Sequence, residues 1–173
     1  MHSIILITGG QRSGKSAYAE RLALQLSEKP LYLATAHVSD DEMATRVARH
    51  RQRRGPQWST IEEEHHLSRH DMTGRVVLVD CLTTWIANRM LAAEEHDMGD
   101  DALLQQLLDE LDQLMRQQST FIFVTNEVGM GGISANAMQR RFADLQGWVN
   151  QHVAQRADKV VLMVSGLPVK VKG

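Results

Sequence analysis

The stretch Gly9-Gly10-Gln11-Arg12-Ser13-Gly14-Lys15-Ser16 has the spacing of a phosphate-binding loop: a glycine, four residues, then Gly-Lys-Ser. Each residue type has a physical reason. Glycines let the backbone curl at positive φ and bring N–H groups onto phosphate oxygens, while Lys15 carries a charge toward the outer phosphates. The Ser16 hydroxyl is placed to hold Mg²⁺. The setting supports this reading, because the apolar run Ile4-Ile5-Leu6-Ile7 precedes the loop and the helix-like Ala17 to Leu26 follows it. A glycine-rich turn that merely joins a strand to a helix is the plain alternative.

Working outward, the chain repeats the alternation of strand and helix. Leu31-Tyr32-Leu33-Ala34-Thr35-Ala36 reads as a second buried strand. Ser39-Asp40-Asp41-Glu42 supplies capping residues and first-turn acids for a helix from about Asp41 toward Gln52. Gly55-Pro56 ends that helix, and Trp58 to Glu62 reads as a short strand. Arg75 to Asp80 is an apolar strand ending in an acid, the natural partner of a phosphate loop for holding Mg²⁺. In the plainer reading Asp80 caps the helix over Thr83 to Leu91.

Leu103, Leu104, Leu107, Leu108, Leu111, Leu114 and Met115 recur at helical spacing. That stripe predicts a helix covering the sheet, with a subunit interface as the lesser alternative. Thr120 to Thr125 is the next strand, followed by the glycine-rich Asn126-Glu127-Val128-Gly129-Met130-Gly131-Gly132 at the strand end where open α/β sheets bind ligands. A helix from about Ala135 to Ala157, the strand Lys159 to Val164 and a short terminal strand over Leu167 to Lys172 complete the pattern. The predicted fold is an α/β, three-layer, P-loop NTPase (RecA-like) domain with a mainly parallel central sheet, spanning residues 1–173 as one domain.

Composition narrows the class. At 173 residues and 43% hydrophobic, the chain suits one sizeable core. Its net charge of −2 gives no global attraction for nucleic acid or an anionic membrane. No stretch approaches the roughly 20 apolar residues of a membrane span. One cysteine, Cys81, cannot form an internal disulfide, and the N-terminal apolar run is only strand-length, so a cytoplasmic location is expected.

A second informative stretch is Arg46-Val47-Ala48-Arg49-His50-Arg51-Gln52-Arg53-Arg54. On a helix, Arg46 and Arg54 lie four residues either side of His50 and share its face. Guanidinium groups pair with polyphosphate oxygens, and nearby positive charge favours the neutral imidazole that a nucleophile requires. A solvated arginine face with an idle histidine is the plain reading of the same residues. His66 and His70 could meet on one helix face as metal ligands, although no further ligand is evident from spacing. Cys81 reads as a small buried residue rather than a nucleophile.

These motifs, taken in order, resemble the bifunctional adenosylcobinamide kinase/adenosylcobinamide-phosphate guanylyltransferases of cobalamin biosynthesis. The resemblance runs through Thr8 to Ser16, Tyr32 to Ala36, Asp41-Glu42-Met43 with Arg46 and His50, Trp58 to Glu62, and Asp80-Cys81-Leu82-Thr83. It continues through Thr125 to Gly131, Asn150-Gln151 and Ser165-Gly166-Leu167-Pro168, and so covers nearly the whole chain. The chain departs from the family pattern at Glu64 and at Ser134-Ala135-Asn136.

The resemblance implies two reactions. In the first, ATP or GTP phosphorylates the hydroxyl of the aminopropanol arm of adenosylcobinamide. In the second, GMP passes from GTP to that phosphate through a GMP–histidine phosphoramidate, with His50 at the matching position. It further implies a nucleotide site of Gly9, Gly10, Gln11, Arg12, Ser13, Gly14, Lys15, Ser16, Ala34, Thr35, Ala36, Arg51, Gln52, Arg53, Arg54, Glu62 and Thr84. His50 and Lys15 are then the catalytic pair, Ser16 and Asp80 the Mg²⁺ ligands, and the assembly a homotrimer. The motifs leave two rival functions: a P-loop small-molecule kinase without guanylyl transfer, and a RecA-like module whose nucleotide state governs a protein partner.

Overall fold

The computed structural model describes residues 2–36 and 54–173. Among the described residues, seven strands form one sheet in the order β3-β2-β4-β5-β1-β6-β7. They are β1 (Ser3–Gly9), β2 (Leu31–Ala34), β3 (Ser59–Glu62), β4 (Val76–Asp80), β5 (Thr120–Val124), β6 (Lys159–Val164) and β7 (Leu167–Lys172). The first six run parallel, and β7 returns antiparallel to β6 at the edge. The α-helices among the described residues are α1 (Lys15–Leu26), α2 (Leu82–Glu95), α3 (Asp100–Met115) and α4 (Ala137–Arg156).

Alternation along each strand builds two cores. Ile4 and Leu6 of β1 face a large apolar cluster with Leu31, Leu33, Val77, Val79, Phe121 and Phe123, and α2, α3 and α4 close that side. Ile5 and Ile7 face the other way, where Ala19 and Ala23 of α1 pack against Leu78, Ile122 and Val124. Small residues at 19 and 23 let α1 lie close to the sheet. Helices on both faces of a parallel sheet give the three-layer arrangement expected from the strand-helix alternation.

The leucine stripe of α3 is spent on this core. Leu103, Leu107, Leu111 and Leu114 are fully buried within the larger cluster. Asp100 and Asp101 sit in the first turn of α3, where acids complement the helix dipole. The side chain of Asn136 caps α4 by accepting the N–H of Gln139.

The metal-binding alternative for His66 and His70, which needed both on one helix face, finds no helix there. The chain there makes only a three-residue 3-10 turn, Leu67–Arg69, pinned by fully buried Leu67. Instead His70 Nε2 lies 3.1 Å from Glu63 Oε2. The helix expected from Asp41 to Gln52 lies outside the described residues.

Candidate functional site

All parallel strands point their C-terminal ends to one edge of the sheet, and the loops there enclose a cleft of about 800 Å³. Its floor is the turn from β1 into α1. Gly9 sits at φ +146°, and a Cβ there would meet the Met163 carbonyl oxygen at 2.6 Å. Gly14, at φ +93°, caps α1 and would press on Gly166 at 3.3 Å if it carried a Cβ. The sequence therefore has glycine where φ is positive and a neighbouring backbone is close. Gly166 in the β6–β7 turn donates its N–H to the Ser13 carbonyl at 3.0 Å, so the terminal hairpin buttresses the loop.

Lys15 lies across this loop. Its Nζ donates to the Gly10 carbonyl at 2.6 Å and reaches Ser13 Oγ at 3.5 Å. Burial pushes the lysine pKa down, opposed by Cys81 and Asp80 nearby. The α1 N-terminus has no side-chain cap, so its first N–H groups are available to an anion.

The wall opposite the loop is built from β2 and β4. Asp80 Oδ2 accepts the Tyr32 hydroxyl at 2.9 Å. Burial first, and then Asp80, push the Tyr32 pKa well up, with Arg54 opposing, so the phenol stays a donor. The Arg54 guanidinium lies 3.4 Å from the centre of the Tyr32 ring. Its Nη1 is buried without a hydrogen-bond partner among the described residues. Arg54 thus holds buried donor capacity beside the cleft, the condition that an anionic ligand would relieve.

Beneath this wall, Thr35 is fully buried and exchanges two 2.8 Å hydrogen bonds with Cys81: its hydroxyl accepts the Cys81 N–H and donates to the Cys81 carbonyl. Asn88 donates to the Thr35 carbonyl at 2.8 Å. Thr35 therefore fixes the β2–β4 edge instead of lining the cleft. The Cys81 thiol, raised in pKa by burial and then by Asp80, contacts Thr84 Oγ1 at 2.8 Å, which suits a structural cysteine better than a nucleophile.

Of the residues expected from sequence, Gln11 to Ser16, Ala34, Ala36, Arg54, Glu62, Asp80 and Thr84 line this cleft. Gly9 is buried and Gly10 exposed at its margin. His50, Arg51, Gln52 and Arg53 lie outside the described residues. Sequence reading missed Tyr32, Thr60, Thr83 and Phe142 as lining residues. Tyr32 had a signal, since alternation along β2 turns it away from Leu31 and Leu33; Phe142 on α4 had none.

A polar network fixes the remaining wall. Asn126 donates its backbone N–H and side-chain amide to Thr83 Oγ1 at 3.0 and 3.2 Å. Buried Thr125, Gln146 and Asn150 are linked at 2.7 to 3.0 Å, and Asn150 donates to the Asn126 carbonyl. These contacts hold the β5 exit loop against α2 and α4.

The model of the family "Cobinamide kinase / cobinamide phosphate guanyltransferase" matches residues 5–171. The chain belongs to this family. It is a bifunctional enzyme, a cobinamide kinase and cobinamide phosphate guanylyltransferase. It is 40% identical to the bifunctional adenosylcobalamin biosynthesis protein CobP of Pseudomonas aeruginosa, over 97% of this chain and 96% of that one. It is also 40% identical to CobU of Escherichia coli, over 98% and 99%, and 38% identical to CobU of Salmonella typhimurium with the same coverage.

Among solved structures, the flagellar accessory protein FlaH of Methanocaldococcus jannaschii superposes with a TM-score of 0.52 at 15% identity, over 98% of this chain and 78% of that one. A Pyrococcus horikoshii protein gives 0.51 at 7% identity, over 99% and 86%. At these identities the likeness concerns the fold, a RecA-like P-loop architecture.

Proposed function

We propose that both reactions of this kinase and guanylyltransferase run in the single cleft above the phosphate loop, on one domain of residues 1–173. ATP or GTP donates phosphate to adenosylcobinamide, and GMP then passes from GTP through His50 to adenosylcobinamide phosphate. One observation carries the reading: the loop, Asp80, Arg54, Glu62 and Thr84 surround one space of about 800 Å³, a volume suited to a nucleotide.

The nucleotide site in this reading comprises Gly9 to Ser16, Ala34 to Ala36, Arg51 to Arg54, Glu62 and Thr84, with Thr35 acting through the backbone it braces. Lys15 turns from the Gly10 carbonyl to the phosphates, where its charge is stabilised. Arg54 Nη1 gains the partner that it lacks, and the α1 amides meet phosphate oxygens.

A hydroxyl at Ser16 and a carboxylate at Asp80 are hard oxygen donors lining the same cleft, and they fit Mg²⁺ shared with substrate phosphates. Bound there, Mg²⁺ supplies charge neutralisation of the phosphate oxygens. Tyr32 orients Asp80 for that role.

In guanylyl transfer, a ring nitrogen of His50 attacks the α-phosphorus of GTP and pyrophosphate leaves with the electron pair of the broken P–O bond. A phosphate oxygen of adenosylcobinamide phosphate then attacks the same phosphorus, and the P–N bond breaks to regenerate His50. The enzyme is proposed to work as a cytoplasmic homotrimer. No helix among the described residues is long and apolar enough to cross a membrane.

The test is product analysis by mass spectrometry with adenosylcobinamide, Mg²⁺ and GTP. Adenosylcobinamide-GDP should form with the native protein. Lys15→Ala should lower both steps at least about 100-fold, as expected on removing a preorganised charge from phosphoryl transfer. Both steps persisting in Lys15→Ala would contradict a shared site.

A further inference from the structure

Kinase chemistry is accelerated by a group that takes the proton of the attacking hydroxyl, and among the described residues three acids line the cleft: Glu62, Asp80 and Glu127. Strand order separates them. The phosphate loop follows β1, and β5, β4, β2 and β3 lie successively farther from it on that side. Glu62 ends β3, four strands away, or roughly 19 Å at the usual interstrand spacing. Asp80 ends β4 and is bound by Tyr32 beside Lys15. Glu127 leaves β5, the immediate neighbour of β1.

Glu127 is also joined to the loop's own strand. Its Oε1 accepts the Thr8 hydroxyl at 2.6 Å, and its backbone N–H donates to the Gly9 carbonyl at 3.1 Å. Asn150 approaches the same Oε1 at 3.5 Å. Both side-chain contacts fall on Oε1, and no described residue donates to Oε2. The carboxylate is therefore anchored by one oxygen at the cleft wall, with the other left to a ligand.

We infer that Glu127 is the general base of the kinase step, resting on the reading that the phosphate loop holds the phosphate donor. The aminopropanol hydroxyl hydrogen-bonds to Glu127 Oε2. Its oxygen bonds to the γ-phosphorus while the bond from that phosphorus to the β,γ-bridging oxygen breaks. The electron pair of that bond leaves with the nucleoside diphosphate, and the hydroxyl proton passes to Oε2. Thr8 and Asn150 are positioning residues, since they act through Glu127.

The second reaction has no such proton to remove, because its nucleophiles are an imidazole nitrogen and a phosphate oxygen. The assignment therefore separates the two activities. Glu127→Gln keeps a carbonyl oxygen to accept from Thr8 but cannot take a proton. Kinase kcat with adenosylcobinamide should fall at least about 100-fold. KM for the nucleotide should change less than about threefold, and guanylyl transfer to supplied adenosylcobinamide phosphate should persist.

Glu127→Asp restores a carboxylate set back by one methylene and should recover part of the lost kcat relative to Glu127→Gln. If Glu127→Gln does not fold, Glu127→Asp decides: reduced kinase beside retained guanylyl transfer supports the base. Kinase kcat within threefold of native in Glu127→Gln overturns the inference, as does equal loss of both activities. Loss of nucleotide binding in Lys15→Ala, with Glu127→Gln normal in both reactions, would leave the shared site standing and remove only the base.

Discussion

The Tyr32 hydroxyl donates to Asp80 Oδ2 at 2.9 Å, joining adjacent strands β2 and β4 at the mouth of the cleft. The tyrosine is kept protonated by burial and by the acid it serves. Its action is orientation of the carboxylate rather than proton exchange. Tyr32→Phe should keep the fold, cost about 1 kcal/mol of stability, and raise the Mg²⁺ concentration needed for half-maximal activity several-fold. Asp80→Asn should have the larger effect, lowering kcat by about 100-fold in both reactions. Mg²⁺ titrations of the two variants check this; equal responses to metal in Tyr32→Phe and native protein would contradict the orienting role.

Gly9 is constrained from two sides, by φ +146° and by the Met163 carbonyl 2.6 Å from any added Cβ. Gly9→Ala should destabilise the protein by about 1–3 kcal/mol and displace the loop, so nucleotide affinity falls with it. A Cβ added at Gly10 would meet nothing within 4 Å, and the φ there lies outside the positive region. Gly10→Ala should cost far less stability. Thermal melts with and without nucleotide distinguish the two positions.

Glu63 binds the backbone N–H groups of His65 and His66 at 3.0 Å each, faces His70 Nε2, and lies 3.5 Å from Arg69 Nη1. Burial alone would raise its pKa, but the His66 and His65 amides, then His70 and Arg69, outweigh burial and hold it below the ordinary 4.5. A lowered folded-state pKa means that the unfolded chain binds more protons in this window. The contribution is fully present above about pH 4.5 and is lost as pH falls through the folded value. Glu63→Gln should lie about 1–3 kcal/mol below native at pH 7, with the gap shrinking below pH 4.5. Urea titrations across that range measure it, and a constant gap would exclude the linkage.

The leucines of α3 offer a packing test. Leu107 is fully buried, whereas Leu91 on α2 is 58% exposed. Leu107→Ala should cost about 2–5 kcal/mol, and Leu91→Ala about 0.5 kcal/mol or less. Urea midpoints of the two variants check this; similar losses would show that Leu91 is covered in solution.

Periodicity and turn chemistry made the elements legible from sequence. Strand ends followed from Gly9 and Asp80, and the α3 stripe from leucines at 103, 107, 111 and 114. The phosphate loop was legible because its steric demands admit few residue types. What sequence could not supply was convergence: Phe142 reaches the cleft from a helix far along the chain, and Thr35 braces Cys81 from behind the cleft lining. An i, i+4 pair such as His66 and His70 meets only on a helix, and Leu67, Met72 and Gly74 fold that segment as turns under the core, so the spacing alone gave no metal site.

Guanylyl transfer through His50 is tested most directly by protein labelling with Mg²⁺ and GTP carrying the label at the α-phosphate, beside a His50→Ala variant that still binds nucleotide. Guanylylation at His50 predicts a covalent label, labile in acid and stable in base, that adenosylcobinamide phosphate discharges and that His50→Ala lacks. A label persisting unchanged in His50→Ala, or no label in native protein that makes adenosylcobinamide-GDP, would contradict it.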